Sequence, residues 1–194
     1  MYFNETYPLG MIGTLRENII DIDEMGLQLE NCNRKHGNSL VGDRCDDKGH
    51  FINGLPKQNT LAAISGDNND PMRWLETWTG EGTTLHRFLT FVHRVCEDLS
   101  VRHPGRTFCF TMDNLNVHKN VLVIQEIMNH GYRVVFRAPY WSCDGAIEYV
   151  FCTIHSYLLK HHGDVANLDA LEHFTNEAFN SIPTFAPYFE HVGL

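Results

Sequence analysis

The 194-residue chain has a formal charge of −9 and a pI near 5.7, which excludes attraction to nucleic acid over the whole surface and leaves only local basic patches for that role. Its length suits one domain with a continuous core. No apolar run approaches the roughly 18 to 20 residues of a membrane span, and Met1-Tyr2-Phe3-Asn4-Glu5 lacks the charge of a secretory leader, so a soluble, unsecreted protein with no membrane partner is expected.

In chain order, the apolar runs predict strands at Asn18 to Asp23 and Leu27 to Glu30, joined by a turn at Met25-Gly26. Residues 31–59 are rich in Gly, Asn, Asp and Lys, with a short strand at Ser39-Leu40-Val41, and a buried strand resumes at Asn59 to Ser65. The Trp74/Trp78 pair follows a polar loop. Thr83 or Thr84 then caps a helix whose apolar positions Leu85, Phe88, Leu89, Val92, Cys96 and Leu99 recur at helical spacing. His103-Pro104-Gly105 ends it, and a strand from Thr107 to Met112 delivers Asp113. A second helix runs through Val117, Val121, Ile124, Ile127 and Met128 to a glycine C-cap at Gly131. Tyr132 to Phe136 is a strand, and Ala146 to Leu159 and Leu168 to Asn180 are helices. Alternating strands and helices imply an α/β fold with a mixed sheet of about five strands flanked by helices. Six cysteines lack tight repeating spacing and read as reduced thiols.

Asp23, Asp113 and Glu148 stand where one predicted element hands over to the next. If the two strands are neighbours, all three carboxylates converge, and carboxylate oxygens are the ligands Mg2+ and Mn2+ prefer. Two such ions about 3.5 to 4 Å apart serve in-line phosphodiester displacement. The bland alternative is that strand-end acids are solvated turn residues. Asp21 competes as first ligand, because alternation sends it to the same face as Asp23. Glu24 is expected to face away or support the turn.

Four blocks resemble the DDE endonucleases of mariner-type transposable elements, whose catalytic domain is RNase H-like. They are Ile20-Asp21-Ile22-Asp23-Glu24-Met25-Gly26, Asn33-Arg34-Lys35-His36-Gly37-Asn38-Ser39, Met112-Asp113-Asn114-Leu115-Asn116-Val117-His118 and Ala138-Pro139-Tyr140-Trp141-Ser142-Cys143-Asp144-Gly145-Ala146-Ile147-Glu148. Thirty-four residues separate Asp113 from Glu148, the interval typical of Asp-Asp-Glu members. Ser142, Gly145 and Ala146 depart from the family's usual Pro, Asn and Pro. The resemblance spans about residues 18–160 of a single expected domain, 1–194. Only seventeen residues precede the first predicted strand, so no N-terminal helix-turn-helix module is expected.

The resemblance implies Asp23, Asp113 and Glu148 as catalytic ligands of two Mg2+ or Mn2+ ions, with Asp113 bridging. Asn114 and His118 either orient ligands or phosphate from behind the metal, or cap the helix beginning near Val117. Arg34, Lys35, Arg44, Lys48 and Lys57 either grip a DNA backbone or are solvated charges interleaved with Asp43, Asp46 and Asp47. Tyr140 and Trp141 either stack on an exposed base or pack beneath their loop. Asp144 reads as a solvated loop acid and His161-His162 as a polar helix end. The intervals between Cys32, His36, Cys45 and His50 do not suit structural zinc.

The function so implied is a metal-dependent DNA endonuclease and strand transferase acting on transposable-element ends, as a homodimer, in the nucleus if the source is eukaryotic and otherwise in the cytoplasm. Two readings compete: a domesticated, catalytically inactive interaction domain, and an RNase H-like nuclease for RNA or hybrids.

Overall fold

In a computed structural model of the chain, residues 11, 13–32, 40–42, 56–138 and 144–194 are described. The first strand, β1 (Ile19–Leu27), runs through Met25 and Gly26 without turning. The hairpin expected there does not form, because Met25 and Gly26 pair with Thr60 and Asn59 of β2 (Gln58–Ser65), and Leu29–Cys32 is a short 3-10 turn. The end of the exposed Lys57 side chain lies over Gly26. Leu40 and Val41 are exposed and outside any strand, and Ser39 lies outside the described residues.

β3 (Arg73–Thr79) is a strand that the sequence pattern assigns to no element. Its charged residues interrupt the apolar alternation, but each has a partner. Glu76 pairs with Arg87 at 2.6 Å, and Arg73 donates to the Phe179 carbonyl at 2.9 Å. Trp74 Nε1 donates to Asp98 at 2.8 Å, and the Arg87 guanidinium lies 4.4 Å over the Trp78 ring.

The remaining elements fall close to their predicted places. α1 (Leu85–Arg102) is capped by Thr84, whose hydroxyl accepts from Arg87 N at 3.3 Å. β4 (Cys109–Met112) precedes α2 (Val121–Asn129), which starts later than Val117 because Asn120 is its cap, accepting from Leu122 N at 3.0 Å. Gly131, at φ 78°, ends α2 in the left-handed conformation. β5 (Arg133–Phe136), α3 (Ala146–Lys160), α4 (Leu168–Ser181) and a short α5 (Ala186–His191) follow.

The sheet order is β3-β2-β1-β4-β5, in which the β3–β2 and β2–β1 pairs are antiparallel and the β1–β4 and β4–β5 pairs parallel. Strand alternation divides the apolar residues between two layers. Ile20, Ile22, Phe110 and Met112 pack under α1 and α2, while Ile19, Leu27, Ala62 and Cys109 pack under α3, α4 and α5. Among the described residues, no helix is long and apolar enough to cross a membrane.

Candidate active site

The site lies where β1 and β4 part. β1 pairs with β4 only over Ile19, Ile20 and Asp21, but stays paired with β2 as far as Leu27. Asp23 is therefore in mid-strand with respect to β2 and two residues beyond the last pair with respect to β4, which revises its expected strand-end position. Asp113 directly follows β4, and Glu148 sits in the first turn of α3.

The two β1 aspartates share a face but not a task. Asp21 is buried; its Oδ1 accepts from Thr111 Oγ1 at 2.7 Å and its Oδ2 from Ile147 N at 3.0 Å. It thus takes up one of the free N–H groups at the start of α3, which Gly145 cannot cap with a side chain. Asp23 accepts from Glu24 N at 2.8 Å and from Arg137 Nη2 at 3.0 Å. Burial pushes its carboxyl up to about 7; Arg137 pulls the other way, while the charges of Asp113 and Glu148 add to the rise. Burial likewise raises Glu148, against Arg137 and with the charges of Asp21 and Asp113. The predicted acids thus lie within one another's electrostatic reach.

Glu24, one residue on, faces the opposite layer and meets His118. His118 Nδ1 is 2.5 Å from Asp113 Oδ1, and its Nε2 is 2.9 Å from Glu24 Oε2. Burial opposes the charged imidazole, but these hydrogen bonds and the two negative charges carry it to about 9. At neutral pH it is an imidazolium donating from both nitrogens, with its ring 4.4 Å from that of Phe88. Burial also works against the Asp113 carboxylate, yet His118, the Leu115 N–H and Arg137 hold it below the usual carboxylate range. Glu24 therefore points at His118 rather than away, and His118 closes a carboxylate–imidazolium–carboxylate chain rather than capping α2.

Arg137 is the residue the sequence reading missed. It follows β5 as Asp113 follows β4, is 1 % exposed, and donates from Nη2 to the Ile22 carbonyl at 3.2 Å as well as to Asp23. A Cβ on Gly145 would collide with its Nη1, so the family's usual asparagine does not fit there while Arg137 holds this pose. Asn114 donates to the Arg137 carbonyl, tying the Asp113 loop to the end of β5. Asp144 is buried rather than solvated. Arg34, Lys35, Arg44, Tyr140 and Trp141, the candidate DNA contacts, lie outside the described residues, as do Lys48, His36, Cys45 and His50.

Donor atoms within 4.8 Å of one another at this end of the sheet belong to Asp23, Glu24 and His118. His118, with both N–H groups committed, is not free to be a ligand. The carboxylates are, and an all-oxygen donor set suits a hard divalent ion. Burial is the main cause that raises Asp23 to about 7, with the charges of Asp113 and Glu148 adding to the rise, and a bound cation would offset both effects, so these residues fit a cation.

No family model and no curated protein sequence matches the chain. Solved structures do. It resembles the pre-cleavage Mos1 transpososome with a TM-score of 0.71 at 15 % identity, over 93 % of this chain and 53 % of that one. The Mos1 mariner paired-end complex with Mn gives 0.70 at 16 %, over 92 % and 52 %. The catalytic domain of Mos1 mariner transposase gives 0.64 at 14 %, over 93 % and 78 %. The chain spans about half the length of the proteins in the first two complexes. These likenesses establish the architecture: a mixed five-stranded sheet flanked by helices, in the RNase H-like α/β fold of the Mos1 catalytic domain.

Proposed function

We propose that the chain is the catalytic domain of a metal-dependent DNA endonuclease and strand transferase acting at transposable-element ends. The supporting observation is the placement of Asp23, Asp113 and Glu148 around the parting of two parallel strands, close enough for the charges of Asp113 and Glu148 to act on the buried Asp23 carboxyl. Asp23, Asp113 and Glu148 would hold two Mg2+ or Mn2+ ions, which when bound supply activation of the attacking oxygen and stabilisation of the leaving oxygen. The chain's own residues set the stage. Asp21 fixes the start of α3 and hence Glu148, His118 keeps Asp113 ionised, and Glu24 holds His118 charged. The Mos1 neighbours include complexes with DNA ends and with Mg or Mn, which supports the same substrate and ions here. The motif resemblance, rather than these neighbours, carries the further proposals of one catalytic domain over residues 1–194 that works as a homodimer, in the nucleus of a eukaryotic source or otherwise in the cytoplasm.

Arg137 favours a second reading, a domesticated and inactive interaction domain. Its buried guanidinium already places one positive charge against Asp23. Calorimetric titration with Mn2+, followed by nicking of supercoiled DNA with wild type beside Asp113→Ala, separates the two. Metal-dependent nicking lost in the variant supports the endonuclease. Absence of both binding and nicking supports the interaction domain, and nicking of RNA–DNA hybrids alone supports an RNase H-like nuclease.

A further inference from the structure

A second group of metal-ligating side chains lies between α1 and α2 and uses none of the residues above. His93 and Glu97 are four residues apart on α1, and Glu126 and His130 are four apart on α2 and its cap, so each pair shares one helix face. The two faces meet. His93 Nδ1 is 2.7 Å from Glu126 Oε1, His130 Nε2 is 3.3 Å from the same oxygen, and His130 Nε2 is 3.6 Å from Glu97 Oε1. One donor atom from each of His93, Glu97 and His130 lies within 4.8 Å of the others.

We propose that these four residues form a binding site for a borderline divalent transition ion, Zn2+ by its ligand chemistry, which staples α1 to α2. Two imidazoles with two carboxylates match Zn2+, whereas Mg2+ takes oxygen donors almost exclusively. Tetrahedral Zn2+ at about 2.0 to 2.2 Å from each ligand needs donor atoms roughly 3.3 to 3.6 Å apart, a separation these side chains reach by small rotations. His93 and Glu97 are more than half exposed and free to make them, while His130 is held by the Tyr132 ring stacked at 6.0 Å. Cys96 lies behind the cluster, but burial keeps its thiol protonated, which leaves a nitrogen and oxygen donor set. The staple would fix α2 against the helix whose Phe88 covers His118.

The test uses the full chain, stripped with a chelator and titrated with Zn2+ in excess Mg2+, read by calorimetry and thermal unfolding. Co2+ as a second probe reports four- or five-coordination through visible absorption. Expected are one Zn2+ per chain and a raised Tm, both kept in Asp113→Ala, with affinity at least about tenfold weaker in His93→Gln and in His130→Gln. His93 is exposed, so its variant will fold even if the other does not. Zn2+ binding unchanged in His93→Gln, binding lost in Asp113→Ala, or no binding by folded wild type would each overturn the proposal. None of these outcomes bears on nicking by the carboxylate site, so the two readings fail independently.

Discussion

Arg137 Nη2 stands 3.0 Å from Asp23 Oδ2 and 3.4 Å from Asp21 Oδ1, so one buried guanidinium faces both aspartates of β1. Removing one partner of such a group strands the other's charge away from water. Arg137→Gln should therefore lower the stability of the metal-free protein by about 3 to 5 kcal/mol in urea unfolding. It should also bind Mn2+ more tightly than wild type, since a competing positive charge is gone. A loss below about 1 kcal/mol would mean that another group neutralises the pair.

Asp23 gives stability an inverted pH dependence. Its folded value, about 7, lies above the ordinary 3.8, so the folded state holds that proton more tightly than the unfolded chain. The contribution is complete below 3.8, declines as pH rises, and is gone above about 7, a span worth up to about 4 kcal/mol. Asp23→Asn should abolish nicking and, without metal, gain stability relative to wild type between pH 5 and pH 8, on top of a pH-independent cost for the lost Arg137 partner. Denaturation curves at pH 5 and pH 8 check both the sign and the size.

His118 works with the opposite charge. Its value is raised from 6.5 to about 9, so its contribution is fully present below 6.5 and is lost as pH rises through about 9. An NMR titration of the ring protons should show a midpoint near 9. In Glu24→Gln that midpoint should fall towards neutrality. A wild-type midpoint at or below 6.5 would break the chain from Asp113 to Glu24.

Gly145 has an unexceptional φ of −86°, so alanine meets no backbone obstacle there. The obstacle is Arg137. Gly145→Ala should cost about 1 to 3 kcal/mol and turn the guanidinium away from Asp23. In Gly145→Ala/Arg137→Gln the added methyl should cost almost nothing, and a double-mutant cycle in urea measures that coupling.

Much of this was readable from residue pattern. The helices α1 and α2 announced themselves by apolar spacing, Thr84 by its cap, Gly131 by its place after α2, and the three acids by what precedes them. β3 escaped because its charges find partners on α1 and α4, which no local pattern records. Met25-Gly26 imitated a turn because glycine is common in sharp bends, whereas here it continues a strand held by its pairing with β2. Arg137 was hidden for a similar reason: only the folded sheet brings the end of β5 over the middle of β1. The division between Asp21 and Asp23 also needed three dimensions, since alternation alone makes them equivalent.

That division affects how a mutational scan of this protein should be read. Asp21 is carpentry: it joins β1 to Thr111 and to the first turn of the helix that bears Glu148. If the proposed nicking is found, its replacement should lower it by loosening Glu148, and a survey scored on nicking alone would count Asp21 with the proposed metal ligands.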